Sequence, residues 1–308
     1  MDMMALINQL GTMFIFIVIG IIANKSGVIN ESGHKMLSKI VLTICQPALI
    51  LAAAMNSNLS YTNLEILKFF GLSWIFYGVL IALAFILTPL LRAPKNKIGL
   101  YRFMVIFGNV AFMGYPIIGS MLSNEWVFVA SIFTIPYNSL AYSVGILMVG
   151  SGNEKGIRVN PKAILNPALV ATVLSLIIVL LRLKFPTVIF SSAKSLGDMI
   201  TPASMLVIGA SLGGMKLRDL FGDARIYVIS FFKLIVAPVV IWMLARLVIS
   251  DKELIAMLTI TAAMPVAVAS TMISIQYGGD EQSASRGVFL STILSLLTLP
   301  LITYFLLI

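Results

Sequence analysis

A succession of ten apolar stretches, each roughly 20 residues long and parted by short polar loops, constrains this chain more than any other feature. They fall near Met4–Ala23, Met36–Met55, Leu67–Leu91, Tyr101–Met121, Trp126–Gly150, Ala163–Leu181, Ser195–Met215, Ile226–Ile249, Leu254–Tyr277 and Gly287–Ile308. Each is long enough to cross about 30 Å of hydrocarbon. A chain that is 59% hydrophobic and 11% charged does not close around one soluble core. The expected fold is therefore all-α and polytopic, with ten transmembrane helices. The longest loops, Ser151–Lys162 and Arg182–Lys194, are too short to hold a soluble domain. No Lys or Arg precedes the first stretch, so it lacks the basic start of a cleaved signal peptide and reads as a retained helix.

The net charge of +9 would suit a nucleic-acid partner, but the placement of the charges does not. With the N-terminus outside, the odd-numbered loops and their edges carry Lys25, Lys35, Lys39, Arg92, Lys95, Lys97, Arg102, Lys155, Arg158, Lys162, Lys216, Arg218, Arg225 and Arg286, which is 14 of the 21 Lys and Arg. That excess fits the positive-inside rule, in a cell membrane with both termini extracytoplasmic. Arg182, Lys184 and Lys194 go against it, on the expected outer side. Cys45 is the sole cysteine, so neither an intrachain disulfide nor a cysteine metal cluster can form. His34, the sole histidine, stands beside Lys35 and is expected at the surface. With no Walker loop, dinucleotide fingerprint or zinc motif, the chain offers no cofactor site, and ATP-driven pumping by it alone is not expected.

Inside the fourth stretch, Gly108-Asn109-Val110-Ala111-Phe112-Met113-Gly114-Tyr115-Pro116 is a poor recipe for a continuous membrane helix. Pro116 has no N–H to give, so it frees the carbonyl of Phe112. Freed backbone is tolerated at membrane depth only where protein or a wet cavity satisfies it. The ninth stretch is interrupted too, at Ala263-Met264-Pro265. Matched broken stretches, one per half, point to a transporter binding site.

The halves also echo one another. The second stretch reads Gln46-Pro47-Ala48 and the seventh Thr201-Pro202-Ala203, each with Leu four residues past the Pro. The fifth opens with Val127-Phe128 and the tenth with Val288-Phe289. Five crossings per copy force the second copy, residues 163–308, to be inverted relative to the first, residues 1–150, with residues 151–162 as a cytoplasmic linker. Pro116 and Pro265 then each suit the first turn of a second half-helix. Two such N-termini, meeting near the midplane from opposite directions, make a site for an anion.

Asn109 to Pro116 resembles the Asn-x-x-x-Met-Gly-x-Pro segment of the auxin efflux carrier family, which contains the plant PIN proteins and many prokaryotic permeases described for malate or malonate. Asp198 with Pro202 and Gly209-Ala210-Ser211-Leu212 is similar to the family's seventh span, and Asn166-Pro167 to the opening of its sixth. Ala263-Met264-Pro265 is similar to its ninth and Leu299-Pro300-Leu301-Ile302 to the close of its tenth. The short central loop favours the prokaryotic branch. The resemblance implies a homodimer, with a scaffold from spans 1, 2, 6 and 7 and a transport domain from spans 3–5 and 8–10. It also implies an elevator-like movement of organic anions. The plant ninth span continues Pro-Gln-Gly where this chain has Pro265-Val266-Ala267, so auxin chemistry does not carry over.

Asn109 is the leading substrate contact, since its amide both donates and accepts; a helix cap is the alternative. Tyr115, Pro116 and Pro265 frame the breaks. Asn138 and Tyr142 lie one turn apart on one face and resemble a polar pair in the family's fifth span; interhelical hydrogen bonding is the rival role. Gln46, Thr271, Thr261 and Ser270 are weaker lining candidates. Asp198 either serves a coupling ion, H⁺ or Na⁺, or lies near the outer interface paired with Lys194. Lys233 either neutralises an anion, pairs with Asp198, or snorkels to the cytoplasmic surface, which its depth favours.

These features describe a secondary carrier of small organic anions such as malate, malonate or auxin-like acids. The alternative is an anion channel or sensor built on the same broken helices. An enzyme would need a base, nucleophile or metal set at membrane depth, and the sequence supplies none.

Overall fold

The computed structural model describes residues 3–55, 61–151, 167–214, 216, 221 and 223–307. Among them every regular element is helical. Six helices are long and apolar enough to cross a membrane. These are α2 (Glu31–Met55), α3 (Asn63–Leu91), α5 (Glu125–Gly150), α7 (Thr187–Gly213), α8 (Ala224–Val248) and α10 (Glu281–Leu307). Two others, α1 (Met3–Lys25) and α6 (Pro167–Leu180), hold shorter apolar runs. The fourth and ninth stretches are interrupted. Helix α4a (Lys95–Ile106) is followed by a non-helical Phe107-Gly108-Asn109, extended at Phe107 and tightly turned at Asn109, and then by the turns Val110–Gly114 and Tyr115–Met121, together α4b. Helix α9a (Lys252–Ala263) is followed by a non-helical Met264–Val268 and then by α9b (Ala269–Tyr277). The expected linker 151–162 lies outside the described residues apart from Ser151, as do Asn166 and the charges Lys155, Arg158, Lys162 and Arg218.

Large apolar side chains stand on the outside, among them Leu247, Val248, Leu297 and Phe305. In water such a surface would aggregate; in a bilayer it is the solvent-facing side. With the six long apolar helices, it marks an integral membrane protein.

Prolines shape the helices in a regular way. A π-helical turn covers Val41–Cys45 before Pro47, Val110–Gly114 before Pro116, and Phe232–Val236 before Pro238. Each ends two residues ahead of the proline. A proline leaves the carbonyl four residues back without a partner, and the wider π turn brings a later N–H within reach of carbonyls there. This is the local adjustment that lets proline persist in a membrane helix.

Helices α1 and α7 touch backbone to backbone. A Cβ on Gly20 would collide with the carbonyl of Leu206, and one on Gly209 with the carbonyl of Ile17. Such close approach is the way small residues hold membrane helices together by van der Waals contact. Helix α2 lies against this pair, and α6 packs on the second half of α2.

Two sequence expectations need correction here. The loop Arg182–Lys194 is shorter than expected, because α7 already begins at Thr187, with Pro186 as its N-cap and N1 immediately after. His34 is not at the surface. It is 6% exposed, with Nε2 3.7 Å from Oε1 of Glu281 at the start of α10. The Lys35 next to it points outward, to Glu31, as the two sides of an amphipathic first turn require.

Candidate functional site

The two breaks meet. Gly108 and Val266 form an antiparallel β-bridge, isolated in an otherwise helical protein. The N–H of Asn109 donates to the carbonyl of Pro265 at 2.8 Å, and the N–H of Ala267 donates to the carbonyl of Phe107 at 3.0 Å. The N–H of Val266 is taken up by Oγ of Ser291 on α10 at 3.0 Å. The backbone groups released by the two interruptions therefore satisfy each other, as unsatisfied groups in hydrocarbon would cost several kcal/mol each. The arrangement corrects one expectation. Pro265 does not open the second half-helix; it stands four residues before α9b and serves as the acceptor of the bridge. Pro116 does lie in the first turn of Tyr115–Met121, but the helical run begins earlier, at Val110.

Beside the bridge is a partly open cleft. One wall comes from α2 and α7, through Gln46, Leu49, Ile200 and Ser204. The other comes from the crossover and α5, through Gly108, Asn109, Tyr115, Asn138 and Tyr142. The starts of both second half-helices, Val110-Ala111 and Val268-Ala269, also reach it. Their N–H ends carry partial positive charge. The cleft is thus apolar over most of its area, with a few amides and hydroxyls grouped at the bridge, the usual build of a small-molecule site.

Five of the sequence-derived residues, Gln46, Asn109, Tyr115, Asn138 and Tyr142, come together on this cleft. Asn109 and Asn138 are buried at 4% and 3% exposure. Tyr115 donates from Oη to Oγ1 of Thr134 at 3.3 Å, which fixes its ring at the edge. Others go elsewhere. Thr271 is fully buried and off the wall, within 3.5 Å of the hydroxyl of Ser285, which in turn donates to Ser211 at 2.9 Å. Thr261 is spent on the carbonyl of Met257. Asp198 is more than half exposed and tied to Lys194 at 2.6 Å, so it is not joined to Lys233. Lys233 does not snorkel: it is 1% exposed, turned inward against Gly108.

Sequence reasoning missed Thr134, Tyr137 and Ser204 on the wall. Tyr137 also belongs to an aromatic group with Phe76, Tyr77, Phe103, Phe107 and Phe133 that backs the crossover. Thr134 lies one turn before Asn138, so extending that polar face backward was the available signal for it; Tyr137, next to Asn138 in sequence, had no such signal.

On the far side of the cleft the two walls are tied by polar contacts. Ser38 of α2 donates to the carbonyl of Met272 at 3.4 Å, Ser285 of α10 donates to Ser211 of α7, and His34 faces Glu281. All three lie toward the start of α2 and the end of α7, whereas the cleft runs along the later turns of α2.

A bridged pair of broken helices beside a cleft between helix groups, in an apolar all-helical protein, defines the class of integral membrane transport proteins. The family model described as "Membrane transport protein" matches residues 5–303, and the chain belongs to this family, the one that contains the auxin efflux carriers. It is similar to an uncharacterized transporter of Methanocaldococcus jannaschii, 27% identical over 299 residues that cover 93% of this chain and 94% of the relative. It is also similar to an uncharacterized transporter of Methanothermobacter thermautotrophicus, 24% identical over 292 residues that cover 94% and 95%.

Proposed function

We propose that this protein is a secondary transporter of small organic anions, carboxylates such as malate, malonate or auxin-like acids, held at the crossover of α4 and α9. The observation that carries the reading is the Gly108–Val266 bridge on the wall of a cleft that also receives two helix N-termini and two buried amides. Asn109 and Asn138 hydrogen-bond the carboxylate, the N-termini stabilise its charge, and Tyr115, Tyr142 and Gln46 shape its surroundings. Pro116 and Pro265 keep the backbone open, with Pro265 also anchoring the bridge.

Ten crossings as two inverted five-helix repeats are the architecture that goes with this reading, with both termini outside the cell membrane. Spans 1, 2, 6 and 7 serve as scaffold, and spans 3–5 and 8–10 carry the substrate in an elevator-type exchange of access. The backbone contact of α1 with α7 and the cleft between the two groups support that division. A homodimer pairs the scaffolds. The cycle uses no cofactor, and H⁺ or Na⁺ is the coupling ion where uptake is concentrative. Efflux needs none, since a negative-inside potential drives an anion outward by about 2.3 kcal/mol per charge per 100 mV.

Counterflow into proteoliposomes tests the reading, with labelled malate outside and malate, malonate or indole-3-acetate preloaded. Transient accumulation, lost in Asn109→Ala, is the expected result. Flux without counterflow would replace the carrier with an anion channel, because counterflow needs a site that faces one side at a time.

A further inference from the structure

Lys233 sits where no surface residue belongs. It lies on the π turn Phe232–Val236 of α8, and its side chain is 1% exposed. Its Cε and Nζ both come within 3.2 Å of the place where a Cβ of Gly108 would stand. Gly108 is one of the residues that wall the cleft. The ammonium is thus separated from the cleft by a single residue without a side chain. The ion pairs among the described residues are His34–Glu281, Lys35–Glu31, Lys97–Asp280 and Lys194–Asp198, and Lys233 is in none of them. A buried cation without a carboxylate partner is costly, and in a membrane helix such a group marks a ligand path.

We propose that Lys233 is the charge-selecting residue of the anion site, acting from behind the crossover through Gly108, with the bound substrate as its counter-ion. The proposal rests on the carrier reading above. A helix N-terminus offers about half a unit charge, spread over several N–H groups. Lys233 adds a full one, close to the same point and shielded from water, where Coulomb forces are strong. It makes the site discriminate by charge rather than by shape. It also balances the load, since a site holding a monoanion beside a protonated Lys233 is neutral as it crosses the bilayer. A Cβ at Gly108 would stand 3.2 Å from Cε and Nζ of Lys233 and push the ammonium back by a few tenths of an ångström.

The test compares wild type, Lys233→Met, Lys233→Arg and Gly108→Ala in counterflow, using whichever of malate, malonate and indole-3-acetate the wild type exchanges. Each is competed with the acid and with its fully methylated ester (the dimethyl ester for malate and malonate), which keeps the carbon skeleton and lacks the charge. Lys233→Met is expected to weaken inhibition by the acid at least tenfold while leaving inhibition by the ester unchanged. Lys233→Arg should stay within about threefold of wild type, and Gly108→Ala should fall between. Equal weakening for acid and ester, or no weakening for either, would overturn the proposal, make Lys233 a packing residue and leave the carrier intact. A wild type that exchanges none of the three acids overturns the carrier reading and this proposal together.

Discussion

The N–H of Asn109 reaches the carbonyl of Pro265 across 156 positions of sequence, at 2.8 Å. That bond uses the main chain of Asn109 and leaves its side-chain amide to the cleft. The two roles are therefore separable by substitution. Asn109→Ala keeps the bridge and removes the amide. A hydrogen bond to a charged ligand is worth about 1.5–3 kcal/mol, so the half-saturation concentration in counterflow should rise roughly 10- to 100-fold. The melting temperature of the detergent-solubilised protein should move little.

Ser291 is the opposite case, since it touches the crossover and not the cleft. Its hydroxyl receives the N–H of Val266. Ser291→Ala strands that donor in the interior at a cost of about 1–3 kcal/mol. Thermal unfolding in detergent should show a clear loss for Ser291→Ala. An unchanged melting temperature would mean that the bridge does not need this support.

Asp280 ties α10 to α4a. Lys97 meets it at 2.6 Å, and the N–H and hydroxyl of Ser283 both donate to it at 2.9 Å. Burial by itself would raise its pKa, but the Lys97 ammonium and the Ser283 donors outweigh burial and hold the carboxyl below the usual range. A depressed folded pKa means stability that is present above the unfolded value, about 3.9, and lost as the pH falls through the folded value. Asp280→Asn should lower stability by about 1 kcal/mol at pH 7. Melting curves of the mutant and wild type should converge as the pH falls below about 4.

Asp198 holds Lys194 one turn before it, both side chains exposed, at the end of the helical segment Thr187–Asp198 of α7. Exposed pairs of this kind are worth a few tenths of a kcal/mol. Asp198→Asn should therefore leave counterflow and its dependence on pH or Na⁺ at wild-type levels. A loss of ion dependence in flux assays would restore Asp198 as the coupling residue.

How far the sequence reached can be judged residue by residue. The break at Gly108–Pro116 was legible because Asn, Gly and Pro are rare in an apolar run and each has a backbone consequence. The third stretch was placed at Leu67–Leu91, and α3 covers Asn63–Leu91, the extra turn being set by a capping box of Thr62 with Glu65. Asn109, Asn138 and Tyr142 were legible as polar residues in apolar surroundings. The rotation of each helix was not. Where every face is apolar, as on α3, periodicity has nothing to mark the inner side. That is why the orientations of Thr271 and Lys233 went against expectation; His34 is a different case, since it stands on an amphipathic turn whose inner side it shares with Ser38. The bridge itself was beyond the sequence, since it depends on Val266 and Gly108 meeting from separate halves of the chain. Three of the π turns among the described residues have a proline two residues downstream, while that at Ala141–Gly145 has none and left no mark in the sequence.

The two bonds that join the breaks, Asn109 N–H to Pro265 and Ala267 N–H to Phe107, are main-chain bonds that do not depend on the side chains of those four residues. Side chains on the cleft wall can therefore be exchanged without rebuilding what holds them. The relatives at 27% and 24% identity differ from this chain at most positions, a divergence that a main-chain frame tolerates. On the carrier reading proposed above, ligand preference is a trait that a few wall substitutions change, and redesign for another ligand should begin at Asn138, Tyr137 and Gln46 and leave the bridging residues alone.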